Sequence, residues 1–163
     1  MQRVTNCMVI QNEQVLVLKK PRRGWYALPG GKMEQGETIK EAVTREYLEE
    51  TALTLIEPNL LGVFTFNIFE HEQVIQEWMM FTFVCYQYSG ELTNFCREGD
   101  LEWVPLHQVE QLPMAEGDRM IFRHVMQSSN LLYGSFQYTS DYQLLGMRLD
   151  PNISVTSYEE DSQ

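Results

Sequence analysis

The chain has 163 residues, 44% of them hydrophobic and 21% charged, with a formal net charge of −11. That is one domain's worth of ordinary globular sequence, and no apolar run reaches the roughly 20 residues of a membrane span. A field this negative repels duplex DNA and RNA, and it repels a small polyphosphate too unless divalent cations screen the site.

From the N-terminus, no apolar stretch after Arg3 is long enough for a signal peptide. Residues 3–10 and 14–20 read as two strands joined by a turn at Gln11-Asn12-Glu13. Pro21-Arg22-Arg23-Gly24 breaks the pattern, and residues 25–28 lead into Pro29-Gly30-Gly31. Helical periodicity runs over about 38–51, with Thr38 and Glu41 spaced as a capping box. Two long β-rich segments follow at 60–69 and 74–87, then a short strand at 101–104 and helices at 106–111 and 117–128. Residues 134–149 alternate like a hairpin around Thr139-Ser140-Asp141, and 151–163 are polar and aperiodic, as in a fraying tail. Strands outnumber helices and are mostly joined by turns, so the fold class is α+β, one domain over 1–150. Cys7, Cys85 and Cys96 are odd in number and in no metal-ligand pattern, which fits reduced thiols and a cytoplasmic location. A monomer and a homodimer both stay open.

The helix over 38–51 is unusual in its faces. With Ile39 at zero and 100° per residue, Ile39, Ala42, Val43 and Leu53 fall within about 60° of one direction. Glu46, Glu49 and Glu50 fall on the same stripe, so the face that should meet the core turns acidic. Carboxylates at i, i+3 and i+4 repel one another, and hard divalent cations with oxygen ligands relieve that repulsion. A solvated, glutamate-rich surface helix is the competing reading of the same residues. The preceding loop carries Gly30, Gly31 and Gly36, which permit tight turns and close backbone approach to a ligand or metal.

Together these residues resemble the Nudix box. Six fixed positions match, Gly31, Glu37, Arg45, Glu46, Glu49 and Glu50, and a chance match has a probability on the order of 10⁻⁷ per starting point. Tyr47 stands where an aliphatic residue is usual. Ala52 replaces the glycine near the helix end, which removes the easy left-handed cap and suggests a different helix ending. The resemblance implies the Nudix fold, a mixed sheet sandwiched between helices, and within the family the chain is most similar to MutT-type triphosphatases. The stretches 112–118 and 132–136 are also similar to those enzymes.

That resemblance implies Mg²⁺ or Mn²⁺ bound by Glu46, Glu49 and Glu50, with the Gly31 carbonyl and the loop carboxylate Glu98 assisting. Glu37 and Arg45 would orient loop and helix, and Glu49 or Glu98 would act as general base. The implied reaction is hydrolysis of a nucleoside triphosphate, such as 8-oxo-dGTP, to a monophosphate and pyrophosphate. Asp118 would read the purine edge, while Ala27 stands where an asparagine is expected, against strict 8-oxoguanine specificity. Trp25, Tyr26, Phe64 and Phe66 are candidates for stacking on a base, and Lys20 and Arg23 for meeting phosphates. An RNA 5′-end pyrophosphohydrolase and a non-catalytic nucleotide sensor are the rival readings. The retained box carboxylates weigh against the sensor, and Pro58 is the only nearby proline in the region that would mark an ADP-ribose enzyme.

Overall fold

A computed structural model of the protein describes residues 1–152. The chain opens with β1 (Gln2–Gln11) and β2 (Gln14–Lys19), then two short strands, β3 (Tyr26–Ala27) and β4 (Gly30–Lys32). Helix α1 (Ile39–Thr51) and the short β5 (Thr54–Ile56) precede the long hairpin of β6 (Asn59–Glu70) and β7 (Gln73–Cys85). After β8 (Gln87–Ser89) and β9 (Asp100–Pro105) come α2 (Leu106–Val109) and α3 (Glu116–Gln127). The hairpin of β10 (Leu132–Thr139) and β11 (Leu144–Asp150) completes the set.

The α+β reading holds, with nine strands in one mixed sheet of order β11-β10-β6-β7-β1-β2-β3, where β4 pairs with β1 and β9 with β2. β5 and β8 form a separate pair. The first turn is built on Asn12 and Glu13, both left-handed at φ 53° and 59°, and His71 and Glu72 do the same for β6–β7. Paired left-handed residues match the right-handed twist of the flanking strands. The four shortest strands carry too few residues to show a period-2 pattern, so the sequence reads none of them. Of the tail expected over 151–163, residues 153–163 lie outside the described residues. No described helix is long and apolar enough to cross a membrane.

Alternation along β1 sorts the core into layers, because successive side chains point to opposite faces. Cys7 and Val9 pack with Val43, Tyr47 and Leu53 beneath α1. Met8 packs the other way, with Val15, Val17, Val109 and Phe122 beneath α2 and α3. A third cluster joins β6, β10 and α3 through Phe64, Phe66, Phe136, Met120 and Ile121. The sheet is thus covered by helices on both faces.

Two departures in the box have structural outcomes. Tyr47 is fully buried, packing as an aliphatic residue would, and its hydroxyl finds no hydrogen-bond partner among the described residues. Ala52 corrects the expected change of ending: it caps the helix in the left-handed conformation at φ 67°, its N–H donating to Leu48 O. The cap geometry a glycine would take is kept, at a steric cost from the alanine Cβ.

Candidate active site

The start of α1 is fixed as the sequence expects, with Thr38 Oγ1 accepting from the Glu41 N–H at 3.1 Å. One turn on, Arg45 becomes the hub of the loop–helix junction. Its guanidinium forks onto the Glu37 carboxylate through Nε and Nη2. It also donates to the Lys32 carbonyl at 3.1 Å and to Glu46 Oε1 at 2.9 Å, and it lies 3.3 Å from Glu49 Oε2. Glu37 closes the loop in turn by accepting from the Glu34 N–H. The Arg45 guanidinium holds the Glu37 carboxyl below its usual range, and the planar fork gives geometric specificity that a lysine lacks.

β4 threads between β1 and α1, with Asn6 opposite Gly30 and Thr5 opposite Gly31. A Cβ at Gly30 would overlap the Thr5 carbonyl and Asn6, and one at Gly31 would overlap the Glu46 carboxylate. Gly30 is therefore needed for close approach of two backbones, and Gly31 leaves room for the Glu46 carboxylate. The Gly30 N–H donates to Glu50 Oε2 at 3.0 Å. Burial pushes the Glu50 carboxyl up to about 7; the Gly30 bond opposes this, and the nearby Glu46 and Glu98 charges add to it.

These groups line an open cleft of about 490 Å³ that brings together Gly31, Glu46, Glu50, Glu98, Lys20 and Asp118. Glu49 faces an adjoining space of about 470 Å³ with Glu46, Glu50, Glu98 and Arg97. Glu46 is turned onto Arg45 and Glu50 onto Gly30, so the carboxylates ring the space without converging. Among the described residues no three acidic, histidine or cysteine side chains stand together at metal-holding distance. The donor set nevertheless fits a hard divalent cation: oxygen ligands, mutual repulsion and a buried carboxylate that gains from a cationic partner.

Elements remote from α1 complete the cleft. Gly99 lies against the Lys19 carbonyl, where a Cβ would collide, and so seats the Glu98 loop beside Lys20. The Tyr26 N–H donates to Pro113 O at 2.8 Å, tying β3 to the segment before α3. The Gly117 N–H donates to the Tyr138 hydroxyl at 2.7 Å. Asp118 therefore opens onto the cleft from the first turn of α3, and desolvation pushes its carboxyl up to about 6, against the pull of Lys20.

Arg23 and Tyr26 sit not over the acidic end but in an outer recess of about 350 Å³, which also takes in Trp25, Arg22 and Tyr142. The Tyr26 hydroxyl lies 3.2 Å from Glu102 Oε2. Phe64 is a correction: only 1% exposed, it packs edge-on against Phe66 and tilted against Phe136 beneath α3 and cannot contact a base. Phe66 is likewise buried, between Trp78 and Phe136. Strand aromatics on a covered face default to core, and the side chains of β6 that point to α3 are these. The sequence reading missed Tyr142, which lies in a turn with no periodic signal, and the pair Asn6 and Thr82, whose hydroxyl donates to Asn6 Oδ1 at 2.7 Å.

The NUDIX domain family description matches residues 1–125. The uncharacterized Nudix hydrolase YvcI of Bacillus subtilis is 48% identical over 151 residues, 93% of this chain and 96% of that one. The nucleoside triphosphatase NudI of an Enterobacter species is 30% identical over 135 residues, 74% of this chain and 94% of the other. The solved structure of the mutator MutT protein from Bacillus halodurans superposes with a TM-score of 0.92 at 52% identity, over 94% of this chain and all of that one. The chain belongs to the Nudix family and is a Nudix hydrolase.

Proposed function

We propose that this Nudix hydrolase cleaves a nucleoside triphosphate to a nucleoside monophosphate and pyrophosphate, with Mg²⁺ or Mn²⁺ as its cation and residues 1–150 as the catalytic domain. The observation that carries the reading is the crowding of Glu46, Glu50 and Glu98 around one cleft that also presents Lys20. Burial raises the Glu50 carboxyl and the neighbouring Glu46 and Glu98 charges add to it, so the site gains from a divalent cation that neutralises it. The likeness to the nucleoside triphosphatase NudI supports the substrate class.

Glu46, Glu49, Glu50 and Glu98 would hold the cation, with the Gly31 carbonyl assisting. The ion would neutralise phosphate oxygens and acidify a water. Arg45 and Glu37 fix where the carboxylates stand, and Lys20, which lines the same cleft, would meet the phosphate oxygens. In the reaction a water oxygen bonds to phosphorus, the bridging P–O bond breaks with its electron pair leaving on pyrophosphate, and the water's proton passes to a carboxylate. Glu98 suits that last role better than Glu49. Glu49 lies against Arg45, while Glu98 borders both the cleft and the space outside it. Asp118 reads the far end of the nucleotide, and an oxidised purine such as that of 8-oxo-dGTP is the favoured base.

The test is pyrophosphate release with Mg²⁺ across 8-oxo-dGTP, unmodified dNTPs, ADP-ribose and a 5′-triphosphorylated RNA. Preference for 8-oxo-dGTP over dGTP supports the full reading. Turnover of RNA or ADP-ribose alone sinks the triphosphatase assignment, and no turnover of any of them sinks the proposed reaction as a whole.

A further inference from the structure

Beyond Asp118 the cleft has two ways to continue. Inward, the cleft runs as far as Asn6 and Met80, and the space behind them, lined also by Thr82 and Ile121, holds about 10 Å³, room for a single water. The Asn6 side chain closes it, donating to the Met80 sulfur at 3.2 Å and accepting from Thr82. A planar ring cannot pass behind that pair into the sheet interior. Outward, the cleft shares Lys20, Ala27 and Asp118 with the recess of about 350 Å³, a volume within the range of small-ligand pockets.

The outer recess has a built interior. The Arg23 guanidinium lies 5.3 Å from the Trp25 ring and 5.0 Å from the Tyr142 ring. The two rings meet edge to face, 6.2 Å apart at 87°. Arg23 donates to the Asp141 carbonyl at 3.2 Å, which spends one of its five N–H groups. The turn that presents Arg23 is closed by the Lys20 N–H donating to Trp25 O. Arg23 and Tyr142 both hold left-handed backbones, at φ 71° and 61°, a conformation rare outside glycine. Lys20 and Arg22 border the same space, so a chain of net charge −11 gathers three cations around one aromatic corner.

We propose that the corner formed by Arg23, Trp25 and Tyr142 is the nucleobase subsite, so that the base lies outward of Asp118 and not in the sheet interior. A nucleobase offers what this corner matches: a flat π-face for the rings and edge acceptors for the remaining arginine N–H groups. A bare phosphate would satisfy the cations and make no use of the aromatic surface beside them. With phosphates at the acidic end, Asp118, which borders both spaces, meets the inner edge of the base. The inference rests on the nucleotide reading above and names the residues that would set its base preference.

Binding of dGMP without metal, compared with ribose 5-phosphate as a base-free probe, tests the subsite by calorimetry. In the wild-type protein dGMP should bind about ten-fold tighter, the size of one stacking interaction. Trp25→Ala and Tyr142→Ala should erase that preference, and Trp25→Phe and Tyr142→Phe should restore it, with the circular dichroism spectrum unchanged throughout. For a turned-over dNTP the alanine variants should raise KM more than they lower kcat. Equal binding of the two probes, or a preference for dGMP that survives both alanine variants, overturns the subsite. Base-dependent binding lost in the alanine variants, with no pyrophosphate released from any nucleotide, would sink the triphosphatase reading and leave the subsite standing.

Discussion

At the acidic end of the cleft, Gly31, Glu37, Arg45, Glu46, Glu49 and Glu50 come from one loop and one helix, and only Glu98 is brought in from elsewhere. At the outer end, Arg23 and Trp25 meet Asp118 and Tyr142 from three segments spread over more than a hundred residues. The acidic end is held by short-range polar bonds that run through a single guanidinium. The outer end is held by ring packing and two strained turns. A charged site at which repelling groups must stay within reach of one another needs a rigid local frame. A recess that meets a flat ring needs only surfaces brought together by the fold.

The largest effect should come from the acidic end. Glu50→Gln should lower turnover by about 1,000-fold, the scale expected when a group stabilising transition-state charge is lost, as read in steady-state kinetics. The same carboxyl gives a pH signature. Raised to about 7 without metal, it must lose its proton to bind a cation, so divalent affinity measured by calorimetry should rise from pH 6 to pH 8. Flat affinity over that range would remove Glu50 from the cation's partners.

Arg45→Lys should come next, with turnover down by about 10- to 100-fold, the range for residues that orient ligating groups. A lysine keeps the charge and loses the fork onto Glu37. If Arg45→Lys matched wild type, charge alone would suffice, and the contrast between a rigid end and a packed end would fail.

At the junction between the ends, Asp118 sets stability against function. Its carboxyl is raised from an ordinary 3.8 to about 6, so between those values the native state binds more protons than the unfolded chain. Stability from this group is therefore lost as pH rises through that window. Asp118→Asn should stabilise the protein by about 2 kcal/mol at pH 7.5 and by little below pH 4, in thermal melts, while weakening nucleotide binding. A destabilised variant at pH 7.5 would show that the carboxylate is satisfied rather than strained.

The smallest effect is at the end of α1. Ala52→Gly should raise stability by about 0.5–1 kcal/mol, since the relief of a left-handed alanine exceeds the entropy cost of glycine. Activity should be unchanged, and a fall in melting temperature would mean that the alanine methyl packs usefully.

The sequence by itself determined whatever depends on neighbours along the chain. The span of α1, its Thr38 cap, the first hairpin turn and the box spacing are short-range relations along one stretch of chain, visible as periodicity and as residue type. Helix geometry likewise locates Glu46, Glu49 and Glu50 relative to Arg45, because fewer than two helix turns carry them all. Only the tertiary structure decided the parallel pairings of β1 with β7 and β10 with β6, which leave no turn between partners to read. It also decided that Phe64 belongs to the core and Trp25 to a recess. Both read from the sequence as aromatic residues able to stack on a base, and the helix packed over Phe64 is what distinguishes the two. Tyr142 joined the site for the same reason: a contact between residues so far apart is set by which sheet edges the fold brings side by side, and no local pattern records it.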